Sequence, residues 1–235
     1  MKIIYKEHSP VNYAQYHFPY RIYGIRENED SYAKIYENGF LPYTNELSIA
    51  DEIYYLARSV RVDLKRHKFR YKQKNVFNTL KTLFDDDKIS FRLIEKSVLS
   101  KDKTFISWCL KNAKNGFLSK KRLDYILSRP YLKDILVISE GNRILAYLLI
   151  VREDKNFLHV WYSFYDLSIR ANNFGKWILL KTIDWCQKHG FDYFYIGTCY
   201  SKAAFYKLTL SPSTCYFDGN EWNEDVSGLR RALLE

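Results

Sequence analysis

The chain has 235 residues, 47% of them hydrophobic, which excludes wholesale disorder and allows one large domain or two small ones sharing a core. Thirty-seven Lys and Arg against 27 Asp and Glu give a net charge of +10, which suits a polyanionic partner and equally suits ordinary solubility. No apolar run reaches the ~18 residues of a membrane span, and no basic-then-apolar leader opens the chain, so the sequence is read as cytoplasmic with no membrane partner.

Met1 to Tyr5 alternates as an edge strand does, and Tyr13 to Gly24 is dense in aromatics and broken by Pro19. Asp30 or Ser31 is placed to cap a helix over Tyr32 to Glu37, closed by Asn38-Gly39. Ile53 to Val62 predicts one strand. From Arg58 to Lys74 there are eight Lys or Arg and one acid, Asp63. The alternation Lys68-Phe69-Arg70-Tyr71-Lys72 predicts a ribbon with charges on one face and rings on the other. Such a ribbon is either a charge-protected sheet edge or a surface for nucleic-acid phosphates.

Asn75 to Leu83 predicts a helix ending at Asp85-Asp86-Asp87, which reads as a solvated turn because no further ligand lies at metal spacing. Phe91 to Leu99 and Thr104 to Ala113 predict helices, the second bounded by Asn115-Gly116. Ser119 caps another helix to Ser128, and Arg129-Pro130 stops it. Ile135 to Ser139, Glu140-Gly141-Asn142 and Arg143 to Val151 predict a hairpin.

Phe157 to Lys207 organises the rest. A strand, Phe157 to Tyr165, ends at Asp166. A helix from Phe174 to His189 carries Leu179, Ile183 and Cys186 on one stripe, with Asn172 or Asn173 as N-cap and Gly190 as C′. A second strand, Tyr193 to Ile196, ends at Gly197. Strand, helix, strand predicts a parallel pair with a crossover, and ligands gather at such strand ends near the helix N-terminus. Asp166, Arg170, Asn173 and Gly175 fall there. Ser201 to Leu208 predicts a short helix, Thr214 to Phe217 a last strand, and Val226 to Leu234 a terminal helix. The cysteines, Cys109, Cys186, Cys199 and Cys215, include no C-x-x-C pair, which gives little support to disulfides or a metal site.

The order hairpin, strand, helix, strand, helix, strand resembles the Gcn5-related acyltransferases, and Lys202-Ala-Ala-Phe-Tyr-Lys207 resembles their last helix, with Tyr206 at its tyrosine. Their acyl-CoA loop carries two small residues. Arg170-Ala-Asn-Asn-Phe-Gly-Lys-Trp has one glycine, and Trp177 stands where the second would help. A closer resemblance is to the aminoacyl-tRNA–protein transferases, the arginyl and leucyl transferases of the N-degron pathway. It rests on Tyr36-Glu-Asn-Gly-Phe40, Tyr54 to Val62 with the basic run after it, Val160-Trp-Tyr-Ser-Phe-Tyr-Asp166, Gly175, Trp185, Tyr195-Ile-Gly197 and Tyr206-Lys207. The family's N-terminal cysteines are absent: no cysteine precedes Cys109.

This resemblance implies a mixed α/β fold, acyltransferase-like over residues 131–235. A helical segment, 75–130, and a smaller basic N-terminal part, 1–74, pack on it. It implies transfer of arginine or leucine from aminoacyl-tRNA, as co-substrate, to an amino group of a protein or peptide, with no bound cofactor or metal. An acyl-CoA-dependent N-acyltransferase and a non-catalytic RNA-binding relative are the alternatives. Asp166 is assigned to orienting a cationic amine and Tyr206 to protonating the leaving oxygen. Arg58, Arg61, Tyr165, Arg170, Asn173, Gly175 and Lys207 are assigned to substrate binding, and Lys65, Arg66, Lys68, Arg70 and Lys72 to tRNA. His159, alternating within a strand, reads as a satisfied polar core group.

Overall fold

In a computed structural model of the protein, residues 1–7, 20–44, 52–80, 82–113 and 118–234 are described. The Tyr13 to Pro19 aromatic stretch and the Asn115-Gly116 turn lie outside them. Two sheets carry the fold. The smaller has the order β1 (Lys2–Glu7), β2 (Tyr20–Ile25), β4 (Ile53–Leu56), β3 (Phe40–Pro42), and helix α1 (Tyr32–Glu37) precedes β3. Ser31 caps α1, its side chain accepting from the Lys34 N–H.

The predicted single strand from Ile53 to Val62 is two strands in two sheets. The chain leaves β4, passes through buried Ala57, and enters β5 (Ser59–Asp63) of the larger sheet. The crossing is fixed by Gly39, whose carbonyl accepts both the Ala57 N–H at 3.2 Å and the Ser59 hydroxyl at 2.9 Å. A hydrophobic pattern cannot report such a change of sheet, because half-buried β4 and buried β5 both read as strand.

The larger sheet has eight strands: β12 (Trp222–Asn223), β11 (Thr214–Phe217), β5, β10 (Tyr193–Thr198), β9 (Phe157–Tyr165), β8 (Arg143–Glu153), β7 (Leu132–Glu140) and β6 (Ile89–Glu95). Strands β9 and β10 pair in parallel, joined by helix α6 (Phe174–Lys188), as the strand–helix–strand reading requires. The β7–β8 hairpin turns at Gly141, as predicted. Strand β5, from the N-terminal part, completes the sheet between β10 and β11.

Phe91 to Glu95, expected as helix, belongs instead to edge strand β6, antiparallel to β7; only α3 (Lys96–Leu99) is helical there. Phe91 and Leu93 pack on one face of the sheet and Ile94 on the other, the period of a strand. The basic ribbon expected at 68–72 is absent: residues 64–70 are irregular and helix α2 (Tyr71–Leu80) starts at Tyr71. Asp63 tightens the entry, its carboxylate accepting from the Lys65 and Arg66 backbone N–H groups, and His67 is drawn inward to Ser211 at 2.6 Å. The Asp85–Asp87 run is a solvated turn in which Lys181 meets Asp86 at 2.8 Å. Helices α4 (Lys103–Lys111), α5 (Lys120–Ser128, capped by Ser119) and α7 (Val226–Ala232) complete the chain, and the expected helix at Ser201 to Leu208 is two 3-10 turns.

Three apolar clusters hold these layers. Helix α6 packs one face of the sheet with Trp177, Ile178, Leu180 and Ile183, where Trp177 stacks on Phe84 at 4.8 Å. Helices α4 and α5 cover part of the other face. The rest of that face meets the small sheet through an aromatic layer of Tyr36, Tyr54, Tyr131, Phe157 and Tyr195. Each of those rings buries on the order of 150–250 Å², so this layer is a principal contact between the sheets.

A cleft where two parallel strands part

Strands β9 and β10 stay paired for three residues only, Phe157 to His159 against Tyr193 to Tyr195. Each then carries one extra residue relative to its other neighbour. On β9, Val160 and Tyr162 oppose consecutive residues of β8, leaving Trp161 over; on β10, three steps from Tyr195 to Thr198 match two on β5. Bulges bend strands and re-aim side chains. The strands diverge, and the gap opens into a cleft of about 790 Å³ beneath the small sheet. His159, Trp161, Tyr162, Gly197, Thr198, Tyr200 and Lys207 line one side; Arg21, Tyr43, Thr44 and Tyr55 of the small sheet, with Arg122 of α5, line the other.

Of two ionisable groups in the cleft, His159 is buried and Lys207 is partly buried. Lys207 donates from Nζ to the Thr198 carbonyl at 2.8 Å. Burial pulls its pKa down to about 8, partly offset by Cys199. Nδ1 of His159 lies 2.8 Å from the Tyr36 hydroxyl. Burial, then the nearby Lys207 charge, hold the imidazole pKa down at about 3, so the ring is neutral. Tyr36 is fully buried and its pKa is raised by that burial, so it remains a phenol.

The predicted residues divide into groups. Lys207 is in the cleft. Its neighbour Tyr206 is exposed at its ring, and burial of its hydroxyl end raises its pKa, with Tyr165 adding to the rise. Tyr165 rests on Gly175, where an added β-carbon would come within 3.2 Å of the ring. Tyr165, Gly175 and Tyr206 are therefore together. Asp166 directly follows β9 but does not line the cleft. One carboxylate oxygen accepts from the Ser168 N–H at 2.9 Å and hydroxyl at 2.6 Å, and the other meets Arg143 at 2.9 Å. Burial pushes its pKa up, but those bonds outweigh it and hold the pKa below the usual carboxylate value. Arg143 of the same chain is thus a cation beside Asp166.

Asn173 is not the side-chain N-cap the sequence suggested: its backbone is left-handed, at φ 66°, and its amide caps nothing. It is exposed, as is Arg170. Trp177, expected to crowd the loop, points into the core instead and is 1% exposed. Arg58 lies at the cleft rim, its backbone N–H donating to the Tyr200 hydroxyl at 3.0 Å and its guanidinium over that ring.

Arg61 is not at the surface where a phosphate contact was expected. It is buried between the rings of Tyr193 and Trp222, at 4.0 and 3.8 Å, and donates to the Tyr195 hydroxyl. Of the basic run, Lys65 pairs with Asp192 and Arg66 with Glu224, Lys68 and Arg70 are exposed, and Lys72 is the second residue of α2. The sequence reading assigned His159 to the core and gave Tyr36, Tyr162 and Tyr200 no site role. The signal that could have found them is His159 falling in the strand that leads to Tyr165-Asp166.

Residues 103–216 match the family model described as "Arginine-tRNA-protein transferase, C terminus". No curated protein matches the chain by sequence. Among solved structures it is similar to the C-terminal domain of a protein described as a lysylphosphatidylglycerol synthetase from Agrobacterium fabrum, at 16% identity and TM-score 0.42, over 72% of this chain and 51% of that one. It is similar to L-PGS from Bacillus licheniformis, at 14% and 0.43, over 76% and 56%. A Gcn5-related glucosamine N-acetyltransferase region of a fungal multi-domain beta-N-acetylglucosaminidase follows, at 13% and 0.43, over 83% and 23%. The chain spans about half the length of the first two structures. Residues 103–216, which contain β9, α6, β10 and Lys207, are thus similar to the C-terminal region of the arginine-tRNA-protein transferases.

Proposed function

We propose that the protein transfers an aminoacyl group, arginine or leucine, from aminoacyl-tRNA to an amino group of a protein or peptide. The observation that carries this reading is the cleft at the parting of β9 and β10, one wall of which is built by the segment that matches the transferase family. Aminoacyl transfer needs a site for an amine, a place for the ester beside it, and a donor for the leaving oxygen. The cleft takes the acceptor's amino end between the aromatic walls of Tyr55, Trp161 and Tyr162. The tRNA's terminal nucleotide enters beside Tyr165, Gly175 and Tyr206. Tyr206, a phenol at neutral pH because its pKa is raised, donates its proton to the departing ribose oxygen. Asp166 and Arg143 fix the turn after β9, and with it the Tyr165 ring.

The inward-facing Trp177 supports a second reading, transfer from an acyl-CoA, since it leaves the loop before α6 unobstructed. One experiment tests both. Purified protein is incubated with arginyl-tRNA, leucyl-tRNA or acetyl-CoA and a panel of peptides with free N-termini, and products are read by mass. Aminoacylated peptide from a charged tRNA supports the first reading. Acetylated peptide alone favours the second. Tight tRNA binding with no product from any donor points to a non-catalytic RNA-binding relative.

A further inference from the structure

Lys207 is an unusual place for a cation. Its side chain is partly buried, and among the described residues it makes no ion pair; its partner is a backbone carbonyl, Thr198 O. A buried ammonium without a carboxylate is costly, and a lysine kept only for structure would normally snorkel to water or find an acid. Cys199 and the Thr198 carbonyl favour the charged form, but burial outweighs them and no carboxylate among the described residues helps. His159 of β9 is neutral, and Cys199 after β10 is a thiol held protonated by burial. Arg58 adds positive charge beside Cys199, and Arg21 and Arg122 face the cleft from the opposite wall. The amine nevertheless opens onto the cleft, because Gly197 presents no side chain in front of it.

We propose that Lys207 is the catalytic base that deprotonates the acceptor's ammonium group. This rests on the aminoacyl-transfer reading above. The acceptor ammonium gives one proton to the neutral Lys207 amine. The freed amine attacks the ester carbonyl, a C–N bond forms, and the C–O bond to the ribose breaks as that oxygen takes the Tyr206 proton. The tyrosinate then takes the second proton from the new amide nitrogen and is restored. Lys207 carries the net proton and releases it to water. A base of pKa about 8 is matched to this task at neutral pH, whereas an ordinary surface lysine is too fully protonated to serve.

The test compares wild type with Lys207→Ala and Lys207→Arg in the charged-tRNA assay, at saturating tRNA and across pH. The expected result is a loss in kcat of about a hundredfold or more in both variants, the size of a lost general base, with KM for the peptide changed little. Added small primary amines should restore the Ala variant, more strongly as their basicity rises, while circular dichroism shows both variants folded. A folded Ala variant within a few-fold of wild type, or one that no amine restores, overturns the proposal. A wild type that transfers from no charged tRNA overturns the aminoacyl-transfer reading itself, and the assignment with it. If the variants do not fold, competitive acetic anhydride labelling of wild type decides: acceptor peptide should shield Lys207, and labelling indifferent to the peptide overturns the assignment.

Discussion

The amine of Lys207 lies 3.5 Å from the point a β-carbon on Gly197 would occupy, and Gly197 holds φ at +82°. The distance is ordinary van der Waals contact, so crowding alone would displace little. The backbone conformation is the larger effect, since a left-handed residue with a side chain costs about 1–2 kcal/mol. Gly197→Ala should therefore lower Tm by several degrees and also reduce transfer, because strain there moves the Thr198 carbonyl that holds Lys207. Gly190 supplies the control: its φ is +75° and a β-carbon there meets nothing. Gly190→Ala should cost similar stability and leave turnover unchanged. Equal turnover in both variants would separate Gly197 from the site.

The parts of this fold that sequence revealed are those where period and ends agree. Helix α6 showed its stripe and its Gly190 stop, and the β7–β8 hairpin showed two apolar runs about a tight turn. The misreadings have physical causes. Phe91 to Glu95 carries good helix formers, but pairing with β7 decides its state. Asn173 reads as a cap by type, while its left-handed backbone turns the side chain away. Lys207 and His159 meet in the cleft from elements 48 positions apart in the numbering, through a strand divergence made by two bulges that no local pattern encodes.

The Asp166–Arg143 pair predicts a dependence between two substitutions. Arg143 is half exposed, so the pair itself contributes at most about 1 kcal/mol. Asp166→Asn should lower Tm slightly and slow transfer about tenfold by loosening the turn that sets Tyr165. Arg143→Gln should do much the same, and the double variant should be little worse than either, since both remove one interaction. A hundredfold loss from Asp166→Asn with none from Arg143→Gln would instead place the carboxylate on the acceptor amine.

Binding of charged tRNA should weaken with salt, and the basic run should contribute unevenly. Lys65 and Arg66 already have acidic partners, Asp192 and Glu224. Lys68 and Arg70 are exposed and make no ion pair among the described residues. Replacing both with Gln should reduce the slope of log affinity against log salt by about 1–2, as for two lost phosphate contacts. The same change at Lys65 and Arg66 should reduce it less. A slope untouched by Lys68→Gln with Arg70→Gln would put the tRNA on another face.

His159 should govern part of the acid limit of stability. In the unfolded chain its imidazole titrates near 6.5; in the fold burial and Lys207 hold it at about 3. Between those values the unfolded chain binds a proton that the folded chain refuses, so stability rises with pH across the window. The contribution is complete above about pH 6.5 and is lost as pH falls toward 3, on the order of 4–5 kcal/mol in all for a fully buried ring. His159→Gln removes the titration while its amide oxygen can still accept from the Tyr36 hydroxyl. Acid titration followed by circular dichroism should show the unfolding midpoint of the variant at lower pH than wild type, with a smaller change at neutral pH. His67 is the competing source of acid sensitivity, because burial lowers its pKa too. An unmoved midpoint in His159→Gln and a shifted one in His67→Gln would transfer the effect to His67 and leave His159 with no part in the acid response.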